Sequence, residues 1–122
     1  MPHFVVLIHG GPGEASPEEL AAHDRHASEL IDSGVLVAAF AFGPAAESVR
    51  IDGDGPSSGP GVTAALDGIG VIEAPDPDAA VAIARRNPAT EQGGFVEVRP
   101  VVGSWTRDGG ATAGSAPGVP TP

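Results

Sequence analysis

Cysteine and lysine are both absent from this chain of 122 residues. Without cysteine there is neither a disulfide framework nor a thiolate site. Without lysine there is no amine for a Schiff base and no phosphate-loop lysine. Positive charge as a whole is scarce. The 6 basic residues, all arginine, face 16 acidic ones, giving a formal net charge of -10. Phosphate backbones are bound by clustered positive charge, so this balance argues against nucleic acid as a partner. An anionic membrane surface is disfavoured for the same reason. Long hydrophobic runs are also missing. The apolar stretch Phe4 to Ile8 is too short for a signal-peptide core or a membrane span. A soluble cytoplasmic protein is therefore expected.

What the chain has in plenty is glycine and proline, 18 and 13 residues. They concentrate in a turn-rich stretch, Asp52 to Val62, and in the segment after Gly103, which has one aromatic residue and no apolar period. The expected organisation is one domain over residues 1–102, followed by a disordered tail over 103–122.

The best-defined element is the stretch Ser16 to Gly34, SPEELAAHDRHASELIDSG. Ser16 can cap a helix, Pro17 suits its first position, and Glu19 can reach back to the cap's amide. Gly34 supplies a helix stop. At about 100° per residue, Leu20, Ala27, Leu30 and Ile31 form one apolar stripe with His23 on its edge. Before the helix, His3 to His9 is expected as a buried strand. After it, Val35 to Phe42 is apolar on both faces, as for a central strand covered twice. Ser48 to Ile51 gives a short strand and Gly68 to Ala74 another. A helix from Asp76 to about Arg86 is closed off by Pro88. Phe95 to Val102 is the last strand, with Pro100 suggesting an edge. The order strand, helix, strand, short strand, strand, helix, strand predicts an α+β ferredoxin-like sandwich, an antiparallel sheet with two helices on one face. Its other face would stay bare and apolar, presented either by the Val35, Val37, Ala39, Ala41 set or by Leu36, Ala38, Phe40, Phe42. A bare apolar sheet face predicts a homodimer formed through it.

Four motifs bear on chemistry. His9 to Gly13, HGGPG, resembles an α/β-hydrolase oxyanion loop, and Gly55 to Gly59 satisfies G-x-S-x-G. Ser57, however, lies in a loop with no helix after it, all four histidines precede it, and the chain is too short for that fold. HGGPG is better taken as a turn that ends the first strand. His23 and His26 lie three apart on the helix near Asp24 and Asp32, but zinc takes tighter ligand sets, so neither metal nor cofactor is expected. A neutral imidazole oriented by a carboxylate, with Asp32 or Asp24 as the orienter, would serve as general base or acid near neutral pH. The alternative is a histidine that only packs.

LIHGGPGEASPEELAAHDRHASELIDSGVLV, then GP and VRI, then GIGVIEAPDPDAAVAIARRNP and FVEVRPVV resemble YCII-related proteins, particularly the branch named for its DGPF motif. The resemblance runs from Met1 to about Val102. It implies a ferredoxin-like fold that pairs into a dimeric α+β barrel. It also implies a histidine one-third into the first helix, the position of His23, coupled with an aspartate. Activities in that family are mostly unassigned, with isomerase-like or peroxidase-like roles proposed by analogy. Some DGPF members are linked with extracytoplasmic-function sigma factors. The naming motif is eroded here: Asp54-Gly55-Pro56 is followed by Ser57, not phenylalanine. Asn87 stands where relatives often carry aspartate, and His9 where many carry tyrosine.

The expected function is a small-molecule enzyme or binder. Its catalytic pair is His23 and Asp32, with His9 and His26 as binding residues. The competing expectation is a non-catalytic dimeric accessory module of a transcription system. A pocket holding His23, His9 and a carboxylate would favour the first, and a collapsed helix–sheet interface with His23 in solvent the second.

Overall fold

The computed structural model describes residues 1–58 and 66–107, and the backbone of residues 110–111. Strand β1 (His3–His9) leads into helix α1 (Pro17–Asp32), and β2 (Leu36–Ala41) follows. A small hairpin, β3 (Val49–Asp52) and β4 (Gly55–Ser58), precedes β5 (Leu66–Glu73), α2 (Pro77–Ala84) and β6 (Phe95–Pro100). The main sheet has the order β2-β5-β1-β6, and every neighbouring pair is antiparallel. This is the ferredoxin-like α+β arrangement.

Helix α1 begins as its sequence dictates. The Glu19 amide donates to Ser16 Oγ at 3.1 Å, and the Ser16 amide donates to Glu19 Oε1 at 2.9 Å. Two of the helix's orphan donors are thus satisfied reciprocally. Asp76 caps α2 in the same manner, accepting from the Ala79 amide at 2.8 Å.

Cross-strand partners point to the same face, so the register assigns every strand residue to a side. Phe4, Val6, Gly70 and Ile72 are buried toward the helices. Val5, Leu7 and His9 on β1 share the opposite face with Ile69 and Val71 on β5 and with Phe95, Glu97 and Arg99 on β6. The core lies between sheet and helices: Phe4, Val6, Leu30, Ile72, Ala74, Ala80 and Ala84. Helix α2 sits close because its inward residues, Ala80 and Ala84, are small and almost fully buried.

Three expectations are corrected here. β2 is an edge strand rather than a central one, because the connectivity β1-α1-β2 leaves room for β5 between the two parallel strands. Its register shifts between Leu36 and Ala38, so Leu36 faces the helices while Ala38 and Phe40 face outward. The stretch after Asp52 is not all loop: Gly55–Ser58 pairs with β3 across a two-residue turn in which the Asp54 amide donates to Asp52 Oδ1 at 2.8 Å. The Asp-Gly-Asp-Gly string was the signal for this hairpin; residues 59–62 of the expected loop lie outside the described residues. Within the expected tail, Trp105–Thr106 pairs with Gly110–Ala111, and residues 112–122 lie outside the described residues. Pro100 does fall on an edge strand, where its missing N–H costs no ladder bond.

Replacing Ser16 with alanine removes one half of the reciprocal cap. We expect a loss of about 1 kcal/mol in urea unfolding, with the fold retained. An unchanged midpoint would show that the first turn of α1 contributes nothing to global stability.

Candidate functional site: a cavity beneath the first helix

Four residues of α1 that turn toward the sheet, His23, His26, Ala27 and Leu30, are at least partly buried. Leu20 and Ile31, expected on the buried stripe, are 55% and 61% exposed. Leu20 nevertheless lines the cavity beneath the helix, together with His23, His26, Ala27 and Leu30, whereas Ile31 turns away from it. Much of α1 borders empty space rather than packed side chains. A cavity of about 660 Å³ lies between α1, the sheet and the α2 end of the core. Val6, Ile8, Leu36 and Ile72 form its apolar floor, and Leu30 and Ile83 line it from the helices. This volume is in the range of small-ligand pockets.

His23 lines the cavity and is held there by a residue the sequence did not single out. Its Nε2 lies 3.0 Å from Oε1 of Gln92. The Gln92 amide nitrogen donates in turn to the Glu19 carbonyl at 3.3 Å. That second bond fixes which end of the amide faces the imidazole, so Nε2 carries the proton and donates to Oε1. Nδ1 is left with its lone pair as the basic position of the neutral ring.

Gln92 reaches α1 because two glycine pairs let two loops cross backbone to backbone. A Cβ on Gly11 would collide with the Gln92 carbonyl, and one on Gly94 with the His9 carbonyl. HGGPG and QGG are thus the two halves of one crossing, which is the structural account of the hydrolase-like string. Asn87, buried at 6%, lines the same cavity. It caps the following 3-10 turn (Pro88–Glu91) by accepting from the Ala89 amide at 3.0 Å.

The other candidates are distributed as follows. His26 lines the cavity beside His23. Burial, then the Arg86 guanidinium, holds its imidazole below the usual value of 6.5, against an opposing pull from Glu29. Asp24 and Asp32 are both exposed; Asp24 borders the cavity, whereas Asp32, at the last position of α1, does not. Nine residues separate Asp32 from His23, roughly 13 Å along the helix axis. The structure pairs His23 with the neutral amide of Gln92 in place of a carboxylate. His9 lies on the opposite face of the sheet from the cavity, because its register partner, Phe95, faces outward. It stacks on the Phe95 ring at 4.3 Å, and its Nε2 is 2.8 Å from Glu97 Oε1. The approach lies outside hydrogen-bonding geometry, and Nε2 is buried. Among the described residues no group of three or more histidine and carboxylate side chains is placed to hold a metal ion. No helix among them is long and apolar enough to cross a membrane.

An antiparallel sheet of order β2-β5-β1-β6, two helices on one face and a ligand-sized cavity beneath the first of them define a ferredoxin-like α+β domain with an internal pocket. The chain matches the YCII-related domain over residues 3–105, and it belongs to that family. No curated protein matches it.

The lowered His26 value has a thermodynamic consequence. Between that value and 6.5 the unfolded chain binds a proton that the folded chain does not, so His26 removes stability as the pH falls through this window. His26→Gln should flatten that part of the stability–pH curve, measured by urea unfolding from neutral to mildly acidic pH. Parallel curves for the two proteins would contradict the burial of His26.

Proposed function

We propose that this YCII-related protein is a small-molecule enzyme or binder that works through the cavity beneath α1, with His23 as its proton-transferring group. The observation that carries this is the chain His23–Gln92–Glu19 carbonyl at the cavity wall. A half-buried imidazole needs a partner for its N–H in any role, and this partner also sets the tautomer. An imidazole whose Nε2–H is fixed by an acceptor presents Nδ1 in a single tautomer, which is what a general base requires. Asp24, at the same cavity, is the carboxylate nearest in sequence to serve beside it; Asp32 has no such placement. The open cavity also speaks against the alternative, a non-catalytic accessory module of an extracytoplasmic-function sigma factor system, which would have no use for the space. Assignment to the DGPF branch and a cytoplasmic location belong to this proposal too. The first draws on the Asp54-Gly55-Pro56 remnant at the β3–β4 turn.

The working unit is proposed to be a homodimer joined through the outer face of the sheet. Support comes from the apolar content of that face, with Phe40 60% and Phe95 54% exposed. An interface of this kind would bury on the order of 1,200 Å² or more.

Two experiments check these statements. In a thermal-shift screen against metabolites, a hit for the wild type should be lost or weakened in His23→Gln and Gln92→Leu. If turnover of a hit is found, His23→Gln should lower it by about 100-fold or more. Hits that stabilise all three proteins equally would remove His23 from the site. In sedimentation, the wild type should run as a dimer at micromolar concentration, and Leu7→Arg, at the centre of the outer face, as a folded monomer. A monomeric wild type would end the dimer claim.

A further inference from the structure

The floor of the cavity contains two glycines of β5 that differ in what confines them. A Cβ on Gly68 would lie 2.6 Å from the Phe40 carbonyl, so the backbone of β2 requires glycine there. Gly70 is different. It is buried, it faces the helices opposite Val6, and a Cβ placed on it would meet only Leu36 Cδ1, at 3.9 Å. Its φ is not in the left-handed region either. Neither backbone conformation nor packing accounts for a residue without a side chain in the middle of a buried strand. Such a glycine leaves room for something that approaches the sheet closely.

The charges around the cavity then define what that something is. Glu14, Asp24 and Asp67, all three exposed, border it on the solvent side, and none has an ion-pair partner among the described residues. Glu19 lines it too, but one of its oxygens is engaged in the helix cap. No arginine is among the lining residues, and the chain has no lysine. The only basic lining residues are His23 and His26. Arg86 acts on His26 from outside the lining, and the walls themselves combine an apolar floor with carboxylates that have no ion-pair partner, in a chain of net charge -10. A carboxylate or phosphate ligand would be repelled.

Resting on the pocket proposed above, we infer that its ligand is a cationic amine with an apolar body. The body lies on the floor against Gly70, and the ammonium sits among the carboxylates of Glu14, Asp24 and Asp67. The assignment rests on the cavity and its side-chain-free floor; the carboxylates decide only the sign of the charge. Substituents at position 70 would then set the width of the body accepted.

Three probes that share one body separate these statements: phenethylamine, phenethyl alcohol and hydrocinnamate, titrated into the full chain by calorimetry and thermal shift. The amine should bind more tightly than the alcohol by about tenfold or more at low salt, with the preference shrinking as salt is raised. Hydrocinnamate should bind least. The double variant Asp24→Asn/Asp67→Asn should weaken the amine by about tenfold and leave the alcohol unchanged. Gly70→Leu should abolish binding of all three, and Gly70→Ala, a milder filling, should weaken all three while the fold is retained. Equal binding of amine and hydrocinnamate, or full amine affinity in the double variant, overturns the amine assignment and leaves the pocket standing. Binding of the amine that neither Gly70 variant alters overturns the pocket itself. Absence of any amine binding at millimolar concentration overturns the inference.

Discussion

Two glycine-to-backbone crossings hold this structure in its particular form. Where Gly11 meets the Gln92 carbonyl and Gly94 meets the His9 carbonyl, any side chain would force the loops apart. Because they can touch, the segment after α2 is pulled across to the first turns of α1. Gln92 then bonds both to His23 and to the Glu19 carbonyl. The anchor is made at the N-terminal half of α1. The C-terminal half is held by Leu30, which is buried in the core. Between these two attachments the helix bridges a void instead of lying flat on the sheet.

The two helices thus solve the same problem in opposite ways. α2 covers its part of the sheet with Ala80 and Ala84, and alanine lets a helix approach closely without leaving a gap. α1 covers a wider area with a sparse inward face of two imidazoles, an alanine and two leucines. An empty apolar cavity forgoes dispersion contacts along its walls. The fold tolerates this because Phe4, Ile72, Ala74, Ala80 and Ala84 pack into a buried core beside the cavity, with Leu30 tying α1 to it. Stability and the proposed function are divided between core and cavity, and the inward-turned His23 and His26 stand at the cavity.

Most of the fold was legible in the sequence, and the reason differs by element. α1 was legible because Ser16, Pro17 and Glu19 act within one turn and need no distant partner. β1 was legible as a short apolar run, Phe4 to Ile8, closed by the Gly10 to Gly13 breaker. β2 was misjudged as central because an apolar strand looks alike whether a helix layer or nothing covers its second face. The first strand of the hairpin was expected, but β4 was passed over because Gly-Pro-Ser-Ser carries no apolar period, although the Asp-Gly-Asp-Gly string in front of it is a turn signal. The inward stripe of α1 was misjudged at Ile31, because periodicity records the apolar side of a helix, whereas packing decided how far that side turns in; Leu20 borders the cavity but stays exposed.

The site divides along the same line. Sequence by itself determined that a histidine stands a third of the way along the first helix, that no thiol or lysine can take part, and that the chain is strongly acidic. Those are properties of residue type and local spacing, which a linear string carries whole. Tertiary structure alone decided that His23 meets Gln92, 69 residues away. It also decided that His9 falls on the other side of the sheet, that Asp32 is out of reach, and that Gly70 opens a floor while Gly68 merely makes way for β2. Each of these depends on a contact between segments whose separation in sequence says nothing about their distance in space. A hydrogen bond of about 3 Å is made or missed on the register of a single strand and the rotation of a single helix.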